Sequence, residues 1–98
     1  MRILLTAFSV VLCAAFVSGC SVKAKIARHQ QRADNYYADG DFSKAEVEYL
    51  ITLRLDNENK RATSQLGDIY FQQGRYGRAY AFVQKACQLS TNDINMQL

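Results

Sequence analysis

Few residues in this chain could do covalent or metal chemistry. Cys13, Cys20 and Cys87 supply the thiols, and His29 is the single imidazole. Zinc and redox sites place their thiols and imidazoles at short paired spacings. These three cysteines match no such spacing, and an odd count does not make a disulfide framework. No acidic cluster surrounds His29, and no serine or aspartate joins it in a catalytic motif. The expectations are therefore no metal, no cofactor, no small-molecule substrate and no enzymatic activity. One thiol stands apart by its placement. In MRILLTAFSVVLCAAFVSGC, Arg2 is followed by an apolar run from Ile3 to Val17, the small pair Ser18-Gly19, and then Cys20. That is the three-part layout of an export signal. Its apolar run is shorter than the ~20 residues a helix needs to cross a bilayer. Cys13, inside the run, reads as a small hydrophobe.

Composition narrows the remaining classes. At 98 residues the chain holds at most one small domain. A net charge of +3 is too weak to imply nucleic acid as a partner.

Val17-Ser18-Gly19-Cys20 resembles the bacterial lipobox, an aliphatic residue and two small ones before a cysteine. Small residues fit a narrow peptidase cleft, and the thiolate is the nucleophile that takes up lipid. The resemblance implies cleavage between Gly19 and Cys20, removal of a signal helix at 1–19, and an acylated Cys20 leading into a tether at 20–25. Two or more acyl chains anchor stably where one does not. An uncleaved anchor from Ile3 to about Val22, or an ordinary signal with a chance cysteine, are the alternatives. Ser21 stands where aspartate tends to retain such lipoproteins in the inner membrane, so the resemblance implies an outer-membrane location facing the periplasm.

Beyond the tether, elements must be found that could position a binding surface. ADGDFSKA at 38–45 returns as QQGRYGRA at 72–79, thirty-four residues later, with glycine, aromatic and alanine in register. Rows 26–59 and 60–93 align Ala33 with Gly67, Tyr36 with Tyr70, Tyr37 with Phe71, Gly40 with Gly74, Ala45 with Ala79, Tyr49 with Val83 and Leu53 with Cys87. A period of this size is tested first as a repeat array. Each row carries two stretches with apolar residues at helical spacing, broken at the glycine. Glycine closes a helix in the left-handed conformation, and Asp41 can cap the helix that follows, whereas Arg75 cannot do so well. The polar links LDNENK and LSTND carry further cap residues. Ala33, Gly67, Ala45 and Ala79 are expected at close helix crossings, with Tyr36, Phe42, Tyr70 and Tyr76 filling the gaps beside them. Residues 94–98 read as the start of a third row. A plain helical bundle is the alternative.

The pattern resembles the tetratricopeptide repeat family. Row two has that family's leucine-glycine pair (Leu66, Gly67), its aromatic (Tyr70), its turn glycine (Gly74) and its later small residues (Ala79, Ala86). Row one departs at Arg32 and Thr52. The usual early tryptophan and late proline are absent from both rows. The resemblance implies an all-α fold of helical hairpins stacked as an α-solenoid. KAEVEYLITLRLD and LGDIYFQQGRYGRAYAFVQKA are also similar in texture to long repeat lipoproteins of exopolysaccharide and surface-protein export.

In that family the first helix of each hairpin lines a groove that holds a partner peptide. Carried over, this gives Ala27, Gln30, Asp34, Tyr37 and Ala38, then Arg61, Ser64, Asp68, Phe71 and Gln72. Asp34 and Asp68 would repel a C-terminal carboxylate. Tyr37 and Phe71 between acids would suit an extended peptide with apolar and basic side chains, or would simply pack between repeats. Cys87 reads as a core thiol, and Arg75, Arg78 and Lys85 as a solvated face. The functional expectation is a membrane-anchored interaction scaffold in cell-envelope assembly or export, with a protein or peptide partner. A recruiting arm for a catalytic domain beyond Leu98, and a pilus or outer-membrane assembly lipoprotein, are the alternatives.

Overall fold

Two glycines set the geometry of the chain's tightest turns. In a computed structural model, which describes the backbone of residues 21–97 and side chains through residue 92, Gly40 has φ 79° and Gly74 has φ 76°. The amide of Gly40 donates to the Tyr37 carbonyl at 3.1 Å and that of Asp41 to the Tyr36 carbonyl at 2.9 Å. The second turn repeats this: Gly74 to Phe71 at 3.0 Å and Arg75 to Tyr70 at 2.8 Å. This nested pair of bonds closes a helix on a left-handed residue.

Four helices result among the described residues, with no strand. Helix α1 is helical from 21, where the description begins, to 38. Helices α2 (Phe42–Leu55), α3 (Lys60–Gln72) and α4 (Tyr76–Gln97) follow. The fold is all-α. Asp41 caps α2 by accepting from the Lys44 amide at 3.3 Å, and Asn59 caps α3 by accepting from Ala62 at 2.9 Å. Each cap satisfies an amide that the first turn leaves unpaired.

Two sequence-level boundaries differ. SVKAK, expected as a tether, is exposed but already helical. LSTND, expected as a link, lies inside α4, which runs unbroken to Gln97. Thr91 explains part of this. Its hydroxyl donates to the Cys87 carbonyl one turn back, at 2.9 Å, instead of capping a new helix. No glycine or proline occurs there to stop the helix.

The core sits where the helices cross. Ala33, Ala45, Ala62 and Ala79 are buried, one from each helix, together with Tyr49, Leu66, Ile69 and Tyr70. Helix α3 is the centre of the fold, burying Ala62, Thr63, Leu66, Gly67, Ile69 and Tyr70 between α2 and α4. Each fully buried Leu or Ile contributes ~1.5–3 kcal/mol. At Gly67 the approach to α4 is tight: an added Cβ would lie 3.0 Å from Val83 Cγ2 and 3.4 Å from the Val83 nitrogen. The two buried threonine hydroxyls are satisfied one turn back, Thr52 donating to the Glu48 carbonyl at 2.9 Å and Thr63 to that of Asn59 at 2.8 Å.

The small residues therefore stand where they were expected, but one aromatic and one thiol do not. Tyr76 is 63% exposed, although its counterpart Phe42 packs against the core. Cys87 is exposed and free, although its counterpart Leu53 packs against the core. Both lie on one exposed stripe of α4.

Two glycines three residues apart separate backbone from packing effects. Neither has any atom within 4 Å of an added Cβ, but only Gly74 has a positive φ. Gly74→Ala is expected to destabilise the fold by about 1–2 kcal/mol, while Gly77→Ala, in α4, is neutral or stabilising by up to about 1 kcal/mol. Ala79→Leu, at the crossing, is expected to cost about 1–3 kcal/mol by overpacking, with Gln72→Leu, at an exposed site, near neutral. Thermal unfolding of the four variants checks all of these.

Candidate functional site

Of the ten residues expected to line a peptide groove, seven fall into two groups that share Asp68. In the first, the side chains are occupied with one another. The Arg61 Nε donates to both oxygens of Asp34, at 2.9 and 3.0 Å, and the Tyr49 hydroxyl also donates to Asp34. One carboxylate thus joins α1, α2 and α3. The Asn59 Nδ2 donates to Gln30 Oε1 at 3.1 Å. The Tyr37 hydroxyl donates to Asp68, which also accepts from Gln72 Nε2 at 2.8 Å. Gln30, Asp34, Tyr37, Arg61 and Asp68 are therefore ties between α1 and α3.

This corrects the picture of Asp34 as an acid awaiting a basic peptide. A guanidinium is already paired with it, and the same contact holds the Arg61 pKa up. Tyr37 and Phe71 also fail to form a shared platform. The Tyr37 ring lies 5.5 Å from that of Phe42, and the Phe71 ring 5.4 Å from that of Tyr76. Each aromatic folds back onto its own hairpin, and the two ring pairs are related by the thirty-four-residue period.

The second group opens onto solvent. Ser64, Asp68 and Phe71 of α3 face Tyr76, Tyr80 and Val83 of α4 across an open groove of about 620 Å³. Its walls are mostly apolar. Phe71 is 60% and Tyr80 69% exposed. A smaller groove beside it shares Ser64 and Val83 and is lined further along α4 by Cys87. Helix spacing places Tyr76, Tyr80, Val83 and Cys87 along one stripe. The groove can take up apolar side chains; Asp68 is the acidic group on its wall.

A polar rim surrounds the core, and sequence reasoning missed most of it. Glu46 accepts from the Tyr70 hydroxyl at 3.0 Å and pairs with Arg75 at 3.5 Å. The Arg75 and Arg78 guanidinium carbons lie 4.7 and 5.2 Å from the Tyr70 ring centroid. These arginines, read as a solvated face, are exposed and also lie over a buried aromatic. His29 Nδ1 meets Glu48 Oε2 at 2.6 Å, joining α1 to α2. The carboxylates Glu46 and Glu48 meet partners far from them in the chain, and no local pattern marks these pairs. One of the contacts does repeat with the period: Lys44 lies over Tyr36 at 5.6 Å, as Arg78 lies over Tyr70.

Cys20 and Gly19, with the whole signal segment and Cys13, lie outside the described residues. Among the described residues, no group of three histidines, cysteines or carboxylates could hold a metal. No described helix is long and apolar enough to cross a membrane. Comparison with protein-family models and with curated proteins returns no match.

The rim ties three tyrosines to carboxylates, with a consequence at high pH. The hydrogen bond to Asp68 raises the Tyr37 pKa. Burial raises those of Tyr49 and Tyr70, reinforced by Asp34 and Glu46. A tyrosine whose pKa is higher folded than unfolded favours the folded state fully below the unfolded value near 10. That contribution is lost as pH rises through the folded value. Stability is therefore expected to fall above pH ~10. Tyr49→Phe should reduce the steepness of the fall. Tyrosinate absorbance, followed with helical circular dichroism across an alkaline titration, checks whether these hydroxyls ionise only as the fold opens.

Proposed function

We propose that the chain is a lipid-anchored scaffold of tetratricopeptide-type hairpins that holds a protein partner at the bacterial cell envelope. One observation supports the scaffold above others. The turn bonds at Gly40 and Gly74, the ring pairs Tyr37–Phe42 and Phe71–Tyr76, and the cation–aromatic pairs Lys44–Tyr36 and Arg78–Tyr70 recur at one interval. A chain that repeats backbone and side-chain contacts together is built from copies of one hairpin. Such hairpins bury one face and stack through the other.

On this reading the hairpins are units of an α-solenoid, and binding follows from surface shape. The exposed apolar groove between α3 and α4 is the place where a partner gains most by burial. The ties between α1 and α3 hold α3 in position and leave Ser64 and Phe71 available on the groove wall, beside Asp68, which is engaged through Oδ2. The anchor rests on Val17-Ser18-Gly19-Cys20, whose thiol carries lipid once the signal is removed. With Ser21 next in the chain, the lipidated protein is assigned to the outer membrane, facing the periplasm. Its role there is a binding one, in envelope assembly or export, with exopolysaccharide export as the nearest resemblance.

Cys20→Ala is expected to abolish incorporation of a metabolically supplied fatty acid and to leave uncleaved precursor. Labelling that persists in the variant would remove the anchor from this proposal.

A further inference from the structure

A net charge of +3 is weak for the whole chain, but it is not evenly spread. Residues 21–32, SVKAKIARHQQR, hold four lysines and arginines and no acid. Residues 33–98 hold seven basic and nine acidic side chains. Beyond Arg2, the excess positive charge therefore belongs to the start of α1, where it is sorted by face. His29 meets Glu48 of α2 at 2.6 Å, and Asp34 accepts from Tyr49 of α2 and Arg61 of α3. Lys25, Arg28 and Arg32 are exposed and stand at i, i+3 and i+7, one outward stripe. Among the described residues, none of these three is held in an ion pair. The charged groups that face the core are paired, and the outward ones are not.

The place of the stripe decides what it meets. Ser21, the residue after Cys20, is already helical, so no flexible tether separates the stripe from the thiol. At ~1.5 Å per residue, Lys25, Arg28 and Arg32 lie ~6, ~10 and ~17 Å along the axis from Ser21. An acylated Cys20 would hold Ser21 at a bilayer surface, and so would an uncleaved anchor reaching Val22. We propose that α1 lies along an anionic phospholipid surface, which Lys25, Arg28 and Arg32 contact, and that this second attachment orients the hairpins on the membrane. An anchor at Cys20 alone fixes only the point of attachment. With α1 upright, Arg32 would stand beyond the ~10 Å over which salt screens charge at 0.1 M. With α1 flat, all three cations reach the headgroups, and each favours the surface by about fivefold.

The inward faces of α1 are engaged elsewhere. Ala33 is buried in the core, and Gln30, Asp34 and Tyr37 are tied to neighbouring elements. Contact through the outward stripe leaves that packing intact. A soluble polyanion could also take three cations, but it would not need them within about three turns of the anchoring residue. A surface gains from that closeness, because an acyl chain and a basic patch together hold a protein more firmly than either alone. This inference rests on the membrane-anchored reading and adds an orientation to it.

The chain contains no tryptophan, so Asn35→Trp, at an exposed site one turn past Arg32, supplies a single fluorescent reporter. It lies ~21 Å along the axis from Ser21. The full chain carrying it, purified from bacterial membranes, is reconstituted into two kinds of vesicle. One is phosphatidylcholine, the other includes about 30% phosphatidylglycerol, and both contain a lipid with a nitroxide on its headgroup. Quenching is expected to be about twofold or more stronger on the anionic vesicles, and to fall to the neutral level in about 0.5 M salt. Lys25→Glu/Arg28→Glu/Arg32→Glu should abolish the difference, whereas Arg54→Glu/Lys85→Glu, which also lowers the net charge, should leave it. Unaltered helical circular dichroism in both variants ties the loss to the stripe. Equal quenching on the two kinds of vesicle, or a difference that survives the triple substitution, overturns the proposal and leaves the anchor standing. Failure of the chain to float with neutral vesicles overturns the anchored reading, and the proposal with it. Equal quenching combined with retention on a polyanion column, lost in the triple variant, assigns the stripe to a soluble polyanion instead.

Discussion

The close approach of helix backbones around α3 is the constraint on which the rest depends. Helices meet at their shortest distance only where side chains are small, and Ala33, Ala45, Ala62, Gly67 and Ala79 supply those points. Little volume is available at the crossings, so the bulky residues must pack beside them. Tyr49 and Tyr70 occupy those flanks and are fully buried. A buried tyrosine brings a hydroxyl, and a hydroxyl out of water needs a partner. Asp34 and Glu46 stand at the edge of the core and accept from these two, and Asp68 does the same for the half-buried Tyr37. The carboxylates in turn attract Arg61 and Arg75. The polar rim is thus a consequence of packing aromatics beside small residues.

That chain of causes explains which parts were legible beforehand. Turn glycines, the Asp41 cap and the small residues at crossings are local or periodic features, and each could be read from residue type and spacing. The rim could not. Asp34 reads equally well as a ligand-binding acid or as half of an ion pair, because only the third dimension brings Arg61 to it. Arg75 and Arg78 are exposed, as their type suggests, and only the fold shows that they also lie over Tyr70. The error at LSTND has a different origin. Ser, Thr, Asn and Asp favour helix starts by bonding backbone amides, yet the Thr91 hydroxyl can equally bond a carbonyl behind it within a continuing helix. Cap residues mark a boundary only when something also ends the preceding helix, as Gly40 and Gly74 do.

The expected peptide groove along α1 and α3 changes character for the same reason. Its polar residues were assigned by position in a repeat, and position alone does not show whether a side chain is already engaged. Gln30, Asp34, Tyr37 and Arg61 hold partners from neighbouring helices. A ligand competing for them would have to replace charge-assisted hydrogen bonds before gaining any of its own. The α3–α4 groove imposes no such cost on its apolar wall, since Phe71, Tyr80 and Val83 are in contact with solvent.

Equal sequence register does not produce equal burial, and the difference between the two hairpins is informative. Burial at Tyr49 comes from α3 crossing over it, so it belongs to the pair of hairpins more than to the first one. Side-chain identity follows that environment only in part. Val83 and Cys87 are still apolar or weakly polar although exposed, and Tyr80 places an aromatic where the first hairpin has Glu46. A face that met only water would gain nothing from these residues, and solvated helix faces are ordinarily polar. A stripe of aromatic, aliphatic and thiol side chains, in register with positions buried one hairpin earlier, is the composition of a surface that meets another helix.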